Sequence, residues 1–454
     1  MVIPFPFEVM LGFGWLGVML LLGVFLRAKV GFFQRFLFPS CLIGGLAGLA
    51  ILQTGLLGVK TSLLETFAYH LFNVSFISVG LTIRGPEEQK AYSGREVLKG
   101  SIWMAMVSGV MMPLQALVGG GLVLLFNYFD FGLFKTFGFF APLGFVQGPG
   151  QVLSVGKAWE TLGFANAATI GLTFATVGFL FAFFVGVPLA NWGIRRGMAA
   201  HAPKSMPRDL LVGIVPKGAS RESAGSLTMH SGNVDTLAFQ FALVGLVYLI
   251  TYALVYGIAS LLRPELAATL WGFFFFAGLL VSIAVRTLII KVGLGHMVDP
   301  GVQRRVTGWS VDFLIVATVM AVQPAIVWKY ALPIGTISLV CGVVTTLGII
   351  YLGRRLWALN IERMVGIYGI CTGTASSGLL LVRVVDPEFR TSVAMELGFQ
   401  AIFSSVPVLS CMLLVSAPLI WGWSMELTLA VFFGLMAVFL FLLKIVKFWG
   451  KKRF

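Results

Sequence analysis

The residues best suited to chemistry lie in two stretches where an otherwise apolar chain turns rich in glycine, proline, amide and hydroxyl side chains. The first, GFFAPLGFVQGPGQVLSVGKA from Gly138 to Ala158, carries Gln147, Gly148, Gly150, Gln151 and Ser154. The second, GIYGICTGTASSGLLLVRVV from Gly366 to Val385, carries Thr372, Thr374, Ser376, Ser377 and Arg383. Each is long enough to enter a membrane, but Pro142, Gly144, Gly148, Pro149, Gly150 and Gly156 would break a continuous helix through the first. Backbone that cannot close its own hydrogen bonds survives at membrane depth only inside protein or beside a watery cavity. Both stretches are therefore expected to be re-entrant hairpins, the first with its tip near Gln147 to Gln151. A broken helix exposes N–H groups that suit a carboxylate and carbonyls that suit a cation. These residues are the candidate substrate contacts. Arg383 offers a bidentate clamp for a carboxylate or an ion pair with Asp386 or Glu388, and Lys157 has Glu160 three residues on.

Polar groups inside apolar segments are costly and mark ion or substrate pathways. Asp312, in WSVDFLIVATVM, is the clearest. Asn73, in HLFNVSFISVGL, falls opposite it when the two halves of the chain are superposed, and two oxygen ligands at matching depth suit Na⁺, with a proton as the other option. Asp312 near a helix end reaching water is the alternative. Glu396 and Gln400, one turn apart on one face, are further cation-coupling candidates or an inter-helix contact. The four histidines lack metal-ligand spacing, the four cysteines sit in apolar segments, and no cofactor motif is present, leaving Na⁺ at Asp312 as the one metal expected.

The elements that must position these residues are membrane helices. Of 454 residues 58% are hydrophobic and 11% charged, with mean hydropathy +0.95, which excludes a soluble globular protein. The net charge of +14 reflects basic residues in short loops rather than a nucleic-acid surface. Apolar runs predict crossings over residues 9–26, 36–58, 63–83, 97–126, 166–194, 237–262, 266–290, 309–328, 332–352, 391–421 and 427–446. The chain thus reads as an all-α polytopic membrane protein: a five-span repeat with the first hairpin (1–194), a cytoplasmic linker (195–235), an inverted five-span repeat with the second hairpin (236–421), and an additional span with a basic tail (422–454). With the N-terminus outside, twenty-five of the 32 Lys and Arg residues fall in cytoplasmic loops or the tail and four, Lys60, Lys135, Arg263 and Lys329, fall outside. No cleavable signal is evident before residue 9. Five crossings before the linker invert the second half, the plan of many secondary transporters.

FLFPSCLIGGLAG, SFISVGL, the block from Pro142 through GFANAATIGLTFATVGFLFAFFVGVPLANW, LWGFFFFAGLLVSIAVRTLI and the region from Arg354 through GICTGTASS together resemble the sodium/glutamate symporter family. In the clearest block, Gly163, Phe164, Asn166, Ala167, Phe174, Ala175, Thr176, Gly178, Gly186 and Pro188 match family positions. The resemblance implies Na⁺-coupled uptake of glutamate or a related anionic amino acid and a lipid-embedded elevator-type homodimer; an enzyme is not expected, because Asp312 and Glu396 have no nucleophile, metal-ligand cluster or histidine partner at useful spacing. A multi-pass protein of a bacterial-type inner membrane is expected. The chain departs from the family at both hairpins: Gln147-Gly148-Pro149-Gly150 replaces Gly-Gly-His-Gly, and Gly373-Thr374-Ala375-Ser376-Ser377-Gly378 replaces Gly-Ala-Thr-Pro-Thr-Ala. An eleventh span exceeds the usual ten. A Na⁺- or H⁺-coupled carrier for another small organic anion, and an ion channel, are the alternatives.

Overall fold

Runs of apolar residues satisfy their backbone most simply as helix, and every regular element in the described residues is helical. The computed structural model describes residues 6–82, 94–201, 208–219, 223–387 and 389–452. Arg84, Lys90, Lys204, Arg221 and Arg453 of the charge count, and Glu388, lie outside them. The longer helices are α1 (Glu8–Lys29), α2 (Ser40–Leu52), α3 (Thr61–Leu81), α4 (Gly94–Tyr128), α5 (Pro149–Thr161), α6 (Ala167–Phe184) and α7 (Gly186–Arg195) in the first half. The second half contributes α8 (Thr236–Ala259), α9 (Phe274–Lys291), α10 (Pro300–Met320), α11 (Ala331–Gly353), α12 (Asn360–Thr372), α13 (Ala375–Val385), α14 (Val393–Leu414) and α15 (Met425–Ile445).

Among the described residues, eight helical segments are long and apolar enough to cross a membrane: α1, α4, the α6–α7 segment, α8, α9, α11, α14 and α15. Three of the eleven predicted crossings differ. Helix α2 has only 13 residues. Helices α3 and α10 have 21 residues each, but carry Glu65, His70 and Asn73, and Arg304, Arg305 and Asp312. Glu65 and Asn73 are buried within protein, where α3 packs against α10, whereas His70, Arg304, Arg305 and Asp312 are exposed.

The helices fall into two packed groups. One comprises α1, α2, α3, α8, α9 and α10; α3 packs on α9 while α10 packs on α2, so the two halves exchange equivalent contacts. Small residues permit the closest approaches: a Cβ on Gly23 of α1 would stand 2.8 Å from the Gly44 nitrogen of α2. The other group holds α4 to α7 and α11 to α15, where α4 packs on α14 and α11 on α6. Helix α15 covers α4, with Phe439 above Gly109 and Leu429 above Gly120. The main contacts between the groups run through α5, against α3, α10 and the short helix Pro264–Gly272, and through α6, against α10 and Pro324–Lys329.

Part of the segment between the halves is packed onto the first group. The buried Arg27 guanidinium donates to the Leu210 carbonyl at 2.8 Å, and Ser226 N–H donates to Asp299 Oδ2 at 3.1 Å. Asp299 is also the N-cap of α10, accepting from Val302 N–H at 2.7 Å.

Candidate functional site

Each glycine-rich stretch is two helical pieces separated by a break. In the first, Phe137–Phe139 and Phe140–Pro142 lead into a wide turn, Leu143–Gln147, and the chain then restarts at Pro149. The break is Gly148, at φ 83 and ψ −177, a conformation open in practice only to glycine. Pro149 then starts α5 at the one position where a missing N–H costs nothing. In the second stretch α12 ends at Thr372, and Gly373 and extended Thr374 precede α13. Close packing folds these pieces together, since a Cβ on Gly369 would come within 2.6 Å of Gly378 Cα.

The two breaks meet. A Cβ on Gly148 would lie 3.0 Å from Thr374 Cγ2 and 3.4 Å from the Gly373 oxygen. Neither α5 nor α13 has a side-chain cap, so the first N–H groups of both helices lack intrahelical partners and open toward the same space. That space is a cavity of about 540 Å³ between the two helix groups. Pro149, Gly150, Gln151, Thr374, Ala375 and Ser376 form its wall on the side of the breaks. Phe72 and Phe76 of α3, Phe275 and Phe276 of α9, and Leu314 and Ile315 of α10 form the wall contributed by the six-helix group.

The sequence-derived candidates separate into two sets. Gln147, Gly148, Gly150, Gln151, Thr374, Ser376 and Gln400 gather at or beside the junction, with all but Gly148 lining the cavity. Gln147 Nε2 reaches Met112 Sδ at 3.7 Å, and Gln400 Nε2 donates to Ser108 Oγ at 3.1 Å. Gln151 is 7% exposed and its side chain makes no hydrogen bond within the described structure. Gly150 is helical, and its Cβ position is occupied by the Phe72 ring. Ser154, a turn further on, is buried with an unpartnered hydroxyl. Thr372 is buried and donates to the Tyr368 carbonyl at 2.7 Å, and Ser377 is buried behind the cavity wall.

The remaining candidates stand elsewhere. Arg383, near the far end of α13, is exposed and lies over the Phe389 ring at 5.0 Å, outside the cavity lining. Asn73 is fully buried on the α3 face beside Tyr69 and Tyr248, and neither of its amide atoms has a hydrogen-bond partner. Asp312 sits beside the Cys41 thiol, about a third of a turn from the α10 face that carries Thr307, Val311, Leu314 and Ile315 into the cavity. No hydrogen bond joins Asn73 to Asp312. Glu396 is fully buried in a bidentate pair, with Arg363 Nε at 2.8 Å and Nη2 at 2.7 Å, and Ser392 Oγ at 2.7 Å. Arg363, counted by sequence as a loop cation, is thus an interior residue of α12 that binds α14.

A second, charged pocket of about 410 Å³ lies where α3, α5 and α6 meet. Lys157 Nζ is 2.7 Å from Glu65 Oε2 and 2.9 Å from Glu160 Oε2, and Glu160 Oε1 accepts from Ala168 N–H at 3.1 Å in the first turn of α6. Sequence spacing identified Glu160 but not Glu65. The aromatic wall of the larger cavity was also missed, because its residues look like any apolar helix face.

No group of three or more His, Cys, Asp or Glu residues in the described structure is placed to hold a metal. The chemistry on offer at the junction is hydrogen-bond donation from two helix N-termini and uncharged amides, which suits an anion. Neither a protein-family model nor a curated protein matches the chain.

Proposed function

We propose that the chain is a secondary active carrier that binds a small organic anion between the two breaks and moves it by alternating access. One observation carries this: two uncapped helix N-termini converge at Gly148 and Thr374 on a cavity between two separately packed helix groups. Sliding the group that bears the breaks against the six-helix group would carry the bound anion across, an elevator-type motion. The exchanged contacts, α3 with α9 and α10 with α2, support an inverted repeat over residues 1–194 and 236–421, with both broken stretches re-entrant. Na⁺ symport and glutamate or a related anionic amino acid come from the resemblance to sodium/glutamate symporters, as do a homodimer and a bacterial-type inner membrane. The ends of the preceding helical pieces, at Gln147 and Thr372, present carbonyls near the same point, where a cation could accompany the anion. The charge asymmetry supports an outside N-terminus and cytoplasmic C-terminus.

The site is tested with Ser376→Cys, whose thiol would face the cavity while the four native cysteines are buried. Organic anion plus Na⁺ should slow its reaction with a water-soluble maleimide. An unchanged rate across anions that the protein transports would remove the substrate from this junction.

A further inference from the structure

The carrier proposed above could take many anions, and the charge distribution in its cavity narrows the class. Among the described residues that line it there is no Lys, Arg, His, Asp or Glu. The nearby ionic groups are committed elsewhere: Arg363 to Glu396, and Lys157 to Glu65 and Glu160. Most hydroxyls on the far walls are also satisfied by their own helices. Ser75 donates to Phe72 O at 2.7 Å, Thr307 to Gln303 O at 3.2 Å and Ser405 to Ile402 O at 2.7 Å.

Free hydrogen-bonding capacity therefore collects at one pole. There the N–H groups opening α5 and α13 are joined by the Gln151 amide, 7% exposed and without a protein partner. The adjoining wall, from the six-helix group, is a mutually packed aromatic cluster that begins at Phe72 beside Gly150, with Phe72, Phe76 and Phe275 ring centroids 4.9 to 5.0 Å apart. One anionic group can be satisfied at the polar pole. An ammonium would find no carboxylate, and a second carboxylate would face the rings without a donor; a charge buried unpaired is strongly disfavoured.

We infer that the occupant is a monocarboxylate with a compact apolar body, its carboxylate at the two helix N-termini and Gln151, and its body against the Phe72–Phe76–Phe275 wall. This rests on the carrier reading and replaces an amino acid by a simpler anion.

The test is isothermal titration of the purified full chain in Na⁺ buffer with 3-phenylpropionate, its uncharged amide, phenylalanine and glutamate. The expected result is binding of 3-phenylpropionate, with each of the other three at least about tenfold weaker. Gln151→Ala should weaken 3-phenylpropionate about tenfold and Phe276→Ala, at the half-buried edge of the wall, about threefold. Gln151→Asn replaces Gln151→Ala if the latter does not elute as the wild type does. Glutamate or phenylalanine binding as tightly as 3-phenylpropionate, and weakened by the Gln151 variant, would overturn the substrate class while leaving the anion site in place. Binding of 3-phenylpropionate that neither variant changes, or no binding by any compound, would overturn the inference together with the site.

Discussion

Lys157 Nζ lies 2.7 Å from a Glu65 oxygen and 2.9 Å from a Glu160 oxygen, so one ammonium links the two helix groups. Glu65 belongs to α3 in the six-helix group, and Lys157 and Glu160 to α5 beside the first break. Sliding one group past the other must break the first contact and can keep the second. Because Lys157 is partly exposed, the Lys157–Glu65 coupling is expected to be about 1 kcal/mol or less and to weaken with salt. A double-mutant cycle with Glu65→Gln and Lys157→Met, read by thermal unfolding in detergent, measures it.

Glu160→Gln is expected to cost more than Glu65→Gln. It removes a charge from the partner of Lys157 and weakens the acceptor for Ala168 N–H at the start of α6. An additional loss of about 0.5 to 1 kcal/mol, measured by the same unfolding assay, follows from the helix-end interaction.

The Arg363–Glu396 pair behaves differently because both partners are fully buried. Arg363→Met leaves the buried Glu396 without its counter-ion and should destabilise by about 3 to 5 kcal/mol, whereas Glu396→Gln should cost less, because Arg363 keeps Glu96 at 3.8 Å. The double variant Arg363→Met with Glu396→Leu should be more stable than either single variant. Recovery of monodisperse protein after heating distinguishes the three.

Asp312→Asn is expected to change the Na⁺ concentration for half-maximal uptake by less than about twofold. Asp312 is exposed and lies outside the cavity lining. A larger change would return Asp312 to the coupling role that its membrane depth suggested.

Gly150 meets the face of Phe72, so Gly150→Val should abolish transport while Leu153→Val does much less. Phe72→Ala in the Gly150→Ala background should restore part of the loss, by making room for the added Cβ. Uptake by the two single variants and the pair checks this, with insertion verified by size exclusion.

The breaks were legible in sequence because glycine and proline interrupt apolar runs at named positions, and backbone chemistry says what such interruptions expose. Gln147, Gln151, Thr374 and Ser376 followed from their distance to those breaks. Asp312 and Asn73 were visible as polar residues at depth, but which way each faces depends on helical phase and on neighbours, and α3 and α10 turn other residues to the cavity. Arg363 follows Arg354 and Arg355 closely enough to look like a loop cation; only the start of α12 at Asn360 and the position of Glu396 reveal its burial. Phe72, Phe76 and Phe275 carry no signal of their own, since lipid, core and cavity all accept an aromatic face.

The most direct measurement is uptake into proteoliposomes containing only this chain, with an inward Na⁺ gradient imposed and radiolabelled organic anions outside. Saturable accumulation above equilibrium that collapses when the gradient is removed, and that Gly148→Val abolishes in protein that still inserts, is the predicted result. Flux that never saturates and only equilibrates the anion, whether or not Na⁺ is present, would contradict a carrier and leave a passive pore.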